Sequence, residues 1–385
     1  MVALRELSCQ WQESSRGWGR MMKYWSVPHG RSRSGGVGIT GRGLSGLAAW
    51  LLAGCLGVMP GLTRAGDETL RLRHGGIGRQ VLVHVPDRPA KGLPVVLVLH
   101  GAGGNPERMA EWTGMNETAD HHGFIVAYPR GVGIVSTWNA GTCCGPAERR
   151  GVDDVGFLRQ AVETIAQRWA VDRKRIYVAG MSNGGMMAYR LAAEAPDMVA
   201  AAAVVEGTMT LDALPAGQPV PILHIHSLDD PRVPFAGGNR GRMRFPPVEQ
   251  ALAAWRRRDG CPQAPMASKA KPLTWRPPGG GALHEASLVR YGPCRHGTEV
   301  TLWLLKGPGH VWTGARGKEP IPAFLGAKSD VLDANEVVWD FFARYRLGGL
   351  ASAGGAPAAV TGSAKDASGK SAGDSSEVGR PGNTR

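Results

Sequence analysis

The chain has 385 residues, 43% of them hydrophobic and 6% aromatic, with a formal net charge of +13. That apolar content can bury one large core, so one domain of about 250–280 residues with extensions is expected. The first 64 residues carry eight Lys/Arg against two Asp/Glu, so +6 of the charge lies there; the remaining +7 shows no dense basic run interleaved with aromatics, which argues against nucleic acid as a partner and leaves at most weak attraction to anionic surfaces.

The apolar run Leu44–Leu62, "LSGLAAWLLAGCLGVMPGL", follows Arg31, Arg33 and Arg42 and reads as a secretory signal. Its basic region is long, so a start near Met21 or Met22 competes with Met1. Two exits compete as well. "LAGC" at Leu52–Cys55 has lipobox form, which would make Cys55 a lipidated first residue. "TRA" before Gly66 fits ordinary signal peptidase. The residues after Cys55 stay apolar, which favours cleavage after Ala65. An uncleaved anchor is the third reading, since the run is about long enough to span a bilayer. The expectation is a 1–65 leader, a secreted or periplasmic product, and no stable membrane insertion after cleavage.

Beyond the leader, 69–74 and 79–85 alternate around "GGIG" as a hairpin. Pro94–Gly101, Gly123–Gly131 and Arg175–Gly180 are apolar runs typical of strands buried on both faces. Between the last two, Val155, Leu158, Val162, Ile165 and Trp169 share one helical face, with Asp153 or Asp154 as the cap. A second helix, Gly184–Ala195, stops at Pro196. Val199–Gly207, Val220–Ser227 and Glu299–Gly307 are further strands, and Asn335–Tyr345 is a closing helix with Val338, Phe341, Phe342 and Tyr345 inward. This alternation predicts a mostly parallel twisted sheet with helices on both faces. The Pro/Gly-rich 262–293 reads as a long excursion, and Gly/Ala/Ser-rich 348–385 as a disordered tail. The catalytic domain is placed at 66–347.

Removing the leader leaves Cys143, Cys144, Cys261 and Cys294. An even count in an exported chain implies disulfides, and four cysteines allow three pairings. Cys261–Cys294 would staple the excursion; Cys143 and Cys144 would then be a vicinal bridge or two thiols.

Gly180-Met181-Ser182-Asn183-Gly184 is a G-x-S-x-G pentapeptide between a buried strand and a helix. In that context it reads as a nucleophile elbow, with Ser182 lifted clear of the sheet edge. A serine hydroxyl needs a base, and the base needs a third group to hold it. His310, in "KGPGHVW" past the last strand, is the expected base; His224 and His226 lie within a strand as core or edge residues, and His284 and His296 fall in irregular chain. Asp230, in "HSLDDPRVPF", is the expected acid, with Glu206 and Asp229 as rivals. The oxyanion would rest on the amides of Asn183 and of Ala102 in "HGAGGN". Trp138 and Trp312 are expected to face substrate. No HExxH, paired CxxC, Asp-rich loop or G-x-G-x-x-G suggests a metal or dinucleotide, so neither metal nor cofactor is expected.

"LVLHGAGGNP", "AYPRG", "WNAGTCCG", "VDDVGFL", "RIYVAGMSNGGMMAYRLA", "HSLDDPRVPF" and "GPGHVWTG" follow in that order. Across about 67–346 the chain resembles the secreted polyhydroxybutyrate-depolymerase-like esterases of the α/β-hydrolase superfamily, a group with feruloyl-esterase-like members. The resemblance implies that fold, with Ser182 as nucleophile, Asp230 as acid and His310 as base. It also implies that the cysteine pair after Trp138 is a family feature. The chain departs at Glu206, where a small residue is more usual, and in "HSLDD". The expected function is an exported serine esterase, a monomer, forming an acyl-enzyme from short-chain, hydroxyalkanoate or feruloyl/acetyl esters. A serine peptidase of the same fold and a catalytically silent hydrolase-fold binding protein are the alternatives.

Overall fold

A glycine pair, Gly75-Gly76, with φ of 55° and 76°, turns β1 (Gly66–His74) back onto β2 (Ile77–Val85) in a two-residue hairpin that pairs His74 with Ile77. Positive φ at both turn residues is the geometry that matches strand twist. The computed structural model describes residues 66–87, 92–241, 243–267, 271–317 and 322–351. The expected leader, with Cys55 and Ala65, and nearly all of the expected tail lie outside these residues.

β3 (Leu93–Leu99) and β4 (Ile125–Pro129) are buried at every position, as the continuous apolar runs predict. Between them come α1 (Pro106–Thr113), capped by the Asn105 side chain, and α2 (Met115–His122), neither of which the apolar periodicity disclosed. The short α3 (Gly145–Arg149) precedes α4 (Asp154–Arg168), whose cap is Asp153 accepting from the Gly156 N–H. Asp154 is engaged elsewhere: it meets Arg79 at 2.7 Å with both side chains buried. Then follow β5 (Val171–Met181), α5 (Asn183–Glu194), β6 (Ala201–Val205) and β7 (Ile222–Ser227). A small ribbon of β8 (Gly238–Arg240) and β9 (Met243–Phe245) leads to α6 (Val248–Asp259). β10 (Leu273–Trp275), β11 (His284–Tyr291), β12 (Val300–Lys306), α7 (Ala334–Phe342) and the β13–β14 pair (Tyr345–Arg346, Gly349–Leu350) complete the order.

The main sheet runs β1-β2-β4-β3-β5-β6-β7-β12-β11-β10. From β4 through β12 every neighbouring pair is parallel, while the hairpin at one edge and β11–β10 at the other are antiparallel. This is the α/β-hydrolase fold. One face is covered by α4, α5 and α6 through residues such as Phe157, Leu191 and Trp255, and the other by α1, α2 and α7 through Met109, Met115 and Phe342. Burial of both sheet faces explains why the central strands carry no alternation.

The 262–293 stretch is not an irregular excursion: it contributes the two outer antiparallel strands β10 and β11. Prolines and glycines at 277–281 form only the connection between them, and most of β11 is half-buried, so it lacks the apolar run that marks the inner strands. Cys261 and Cys294 are disulfide-bonded across this segment, and Cys143 is bonded to Cys144. Among the described residues no helix is long and apolar enough to cross a membrane.

Candidate active site

β5, β6, β7 and β12 run parallel, and their C-terminal ends deliver the expected site residues to one edge of the sheet. Ser182 directly follows β5 and has φ 56° and ψ −124°, a region that L-residues rarely occupy. Steric crowding accounts for the flanking glycines. A Cβ on Gly180 would lie 2.3 Å from the Gly184 carbonyl oxygen, and one on Gly184 would lie 2.2 Å from that of Leu99. Helix α5 therefore packs directly on β5 and β3, and the chain must turn sharply at Ser182. The Ser182 N–H donates to the Val205 carbonyl at the end of β6, and its carbonyl accepts from Met186 N. A Cβ on Gly101, in the loop leaving β3, would stand 3.4 Å from Ser182 Cβ, so that loop passes beside the hydroxyl.

Asn183 is buried, and its side-chain amide pairs twice with the Trp138 backbone: Oδ1 accepts from Trp138 N at 2.8 Å and Nδ2 donates to Trp138 O at 3.1 Å. The next residue, Asn139, donates its N–H to Asp154, the partner of Arg79. A chain of buried and part-buried polar contacts thus runs from β2 to the first turn of α5. Burial penalises both members of the Arg79–Asp154 pair, raising the acid and lowering the base against their mutual attraction.

His310 and Asp230 meet: His310 Nδ1 lies 2.7 Å from Asp230 Oδ2, and both residues are buried. The Asp230 Oδ1 atom accepts from the backbone N–H groups of Arg232 (2.6 Å) and Val233 (2.9 Å). Burial by itself would raise this carboxyl; the hydrogen bond and charge of His310, with help from Glu206 and His226, hold it down at about 2. His310 is positioned by its own N–H, which donates to Leu325 O at 2.6 Å. A Cβ on Gly309 would lie 2.1 Å from that same carbonyl oxygen, so the loop can pack beside His310 in this way only with glycine there.

Of the two rival acids, Asp229 turns away and accepts from Gly307 N at 2.7 Å. Glu206 does not: it is fully buried, both its oxygens accept from Ser227 N, and it lies 3.4 Å from His226 Nε2. Glu206, Asp230 and His310 bring one polar atom each within 4.8 Å of one another. His226 is a buried strand residue, as expected, and also borders this cluster: Nε2 donates to Val233 O at 2.8 Å and stands 3.6 Å from Asp230 Oδ2. It sits near the end of β7, four residues before Asp230 in the chain. His224 donates from Nε2 to His226 Nδ1, and Tyr189 donates its hydroxyl to His224 Nδ1 at 2.7 Å. Burial lowers His226 to about 4 and His224 further, so both are neutral.

The two tryptophans are not placed as expected. Trp138 is fully buried, with its indole N–H donating to His100 O, and Trp312 is buried against α7 with its N–H on Asn335 Oδ1. Both rings pack in the core and present no surface to a substrate. His284, on β11, hydrogen-bonds Ser329 Oγ at 2.9 Å.

The family described as Esterase PHB depolymerase matches residues 81–237. The putative esterase NocK of Nocardia uniformis subsp. tsuyamanensis is 33% identical over 275 residues, covering 66% of this chain and 76% of NocK. The chain belongs to the PHB-depolymerase-type esterase family. Other members of this esterase group resemble it over part of their length. The bifunctional acetylxylan esterase/xylanase XynS20E of Neocallimastix patriciarum is 29% identical over 283 residues, or 74% of this chain and 36% of that protein. Feruloyl esterase B of Piromyces equi is 28% identical over 246 residues, or 60% of this chain. The chain spans 36% and 42% of the lengths of these two relatives. Among solved structures, an acetyl xylan esterase from Aspergillus awamori matches with a TM-score of 0.46 at 16% identity, over 63% of this chain and 94% of that one.

Proposed function

We propose that the protein is an exported serine carboxylic-ester hydrolase in which Ser182 is the nucleophile, His310 the base and Asp230 the acid. The observation that carries the reading is the 2.7 Å contact between His310 and Asp230 at the same sheet edge as the strained Ser182 turn. His310 Nε2 takes the Ser182 proton as Oγ attacks the ester carbonyl, and Asp230 stabilises the imidazolium through Nδ1. The Asn183 N–H belongs to the first turn of α5, whose donors have no partner inside the helix. In the 101–104 turn the N–H groups of Gly103 and Gly104 are taken by Ser136 and Gly101, and Ala102 is exposed. Those two amides, Asn183 and Ala102, receive the oxyanion. The alcohol leaves with the proton from His310, and water, activated by the same histidine, releases the acid.

The donor atoms of the Glu206–Asp230–His310 cluster are engaged by N–H groups or by one another, which suits a proton-transfer site and leaves a cation few free lone pairs. The named relatives direct the substrate toward acetyl and feruloyl esters of plant polysaccharide, with hydroxyalkanoate oligomers as the competing class. Rates on p-nitrophenyl acyl esters, methyl ferulate and hydroxybutyrate oligomers test this. The expected result is hydrolysis of short acyl esters by the wild type; cleavage of peptide amides in preference to all three would overturn it. Export is tested by finding the mature N-terminus at Gly66 in the culture medium or periplasm, whereas a lipidated Cys55 would redirect the reading to a surface-anchored enzyme.

A further inference from the structure

Glu206 is a buried acid whose nearest ionisable neighbours are Asp230 and histidines. Among the described residues no Lys or Arg lies within salt-bridge reach of it or of Asp230. The groups that face the pair are His310 and Asp230 from the loops after β12 and β7, His226 from β7 with His224 and Tyr189 behind it, and Ser227 N–H. Arg232 attends Asp230 through its backbone N–H, while its guanidinium lies over the Phe324 ring. Both histidines of β7 are neutral, and His226 Nε2–H is directed at Val233 O. Glu206 has φ 48°, a strained backbone for a residue with a Cβ, and the glycine after it, Gly207, packs where a Cβ would stand 3.0 Å from Ser182 O. The chain therefore holds a long acid at a strained position next to the triad carboxylate.

Two buried carboxylates with polar atoms within 4.8 Å of each other, no Lys or Arg beside them and one imidazole, His310, to share do not both ionise. Asp230 is the better anion, because it accepts from two backbone N–H groups and from His310. We propose that Glu206 is a positioning residue that keeps its proton and donates it in a hydrogen bond to the Asp230 carboxylate, fixing the orientation in which Asp230 holds His310. Burial, and then the Asp230 charge, push the Glu206 carboxyl well above the usual carboxylate range, in agreement with that assignment. Each Glu206 oxygen can still accept from Ser227 N while one of them carries the hydrogen for Asp230. Glu206 touches no substrate in this arrangement; it acts through Asp230.

The inference rests on the triad reading, and the variants Glu206→Gln and Glu206→Leu separate the two. In full-length protein, the pH profile of kcat/KM on p-nitrophenyl acetate is measured for both, with Ser182→Ala alongside. Gln supplies an N–H donor in place of the acid O–H, so Glu206→Gln keeps the wild-type rate and the wild-type acid limb. Glu206→Leu lowers kcat by about 10- to 100-fold at unchanged KM, the scale of a charge-assisted hydrogen bond. The wild-type infrared spectrum carries a protonated-carboxyl C=O band that is missing from Glu206→Gln, which gives the answer even if Glu206→Leu does not fold. An ionised Glu206 would instead raise the affinity of His310 for its proton, so removing its charge in Glu206→Gln would move the acid limb down by about one unit or more. That shift, an absent infrared difference, or wild-type activity in Glu206→Leu overturns the proposal. Activity retained by Ser182→Ala would overturn the triad reading itself, and is distinguishable from all three.

Discussion

Gly180 and Gly184 hold Ser182 by leaving no space for any other backbone path, whereas Asp230 holds His310 by a hydrogen bond, with the buried Glu206 and His226 gathered around that carboxylate. The proposed nucleophile corner is local, five residues of one strand–turn–helix. The proposed acid–base corner joins the ends of three strands, its residues Glu206, Asp230 and His310 spread over more than a hundred positions of the chain. The first is fixed by excluded volume and is insensitive to pH. The second depends on where protons reside. The difference teaches that one site can be rigid at one corner by packing and at the other by charge bookkeeping, and the two respond to different perturbations.

The largest expected effect falls on the acid–base corner. Asp230→Asn keeps an acceptor for Arg232 and Val233 N–H but presents a donor to His310 Nδ1, favouring the wrong tautomer; kcat falls about 10⁴-fold with the fold retained. A loss of only a few-fold in steady-state kinetics would mean that Asp230 does not orient the base. At the nucleophile corner, Gly184→Ala forces a Cβ against the Leu99 and His100 carbonyl oxygens. Urea unfolding then shows a loss of about 3 kcal/mol, and an unchanged midpoint would contradict the packing argument.

The two corners differ in how plainly the amino-acid sequence discloses them. Gly180, Ser182 and Gly184 were legible because the constraint is sterically local and strand and helix flank it. The meeting of Asp230 with His310 was legible because the fold brings the loops after β7 and β12 together at one sheet edge. Glu206 and His226 were only half legible: nothing in "VVEGTM" or "ILHIHS" says that they converge, since parallel pairing of β6 with β7 brings them together. Trp138 and Trp312 were misplaced because an aromatic near a site motif looks the same whether it lines a pocket or packs beneath one. Strands β10 and β11 were missed because outer strands, exposed on one side, lack the apolar runs that mark inner ones.

A smaller effect sharpens the link between corners. Asn183→Ala leaves the buried Trp138 N–H and C=O without partners, and thermal or urea unfolding should report a loss of about 2 kcal/mol. Retention of full stability would show that the Trp138 loop is held by Asp154 alone. The smallest effect is one of pH. The Asp230 carboxyl is depressed to about 2 in the folded protein, against about 4 when unfolded. Its contribution to stability is therefore complete above about pH 4 and is lost as pH falls through about 2. The stability gap between wild type and Asp230→Asn should narrow over that window, while the deficit of Gly184→Ala stays constant. A gap that is flat with pH would remove Asp230 from the charged side of the comparison.

The central claim is that Ser182 is an activated nucleophile. A fluorophosphonate probe followed by peptide mass mapping tests it directly. The account predicts stoichiometric labelling at Ser182, abolished in Ser182→Ala and strongly slowed in His310→Ala. Folded wild-type protein that stays unlabelled, or a label found on another residue, would contradict it.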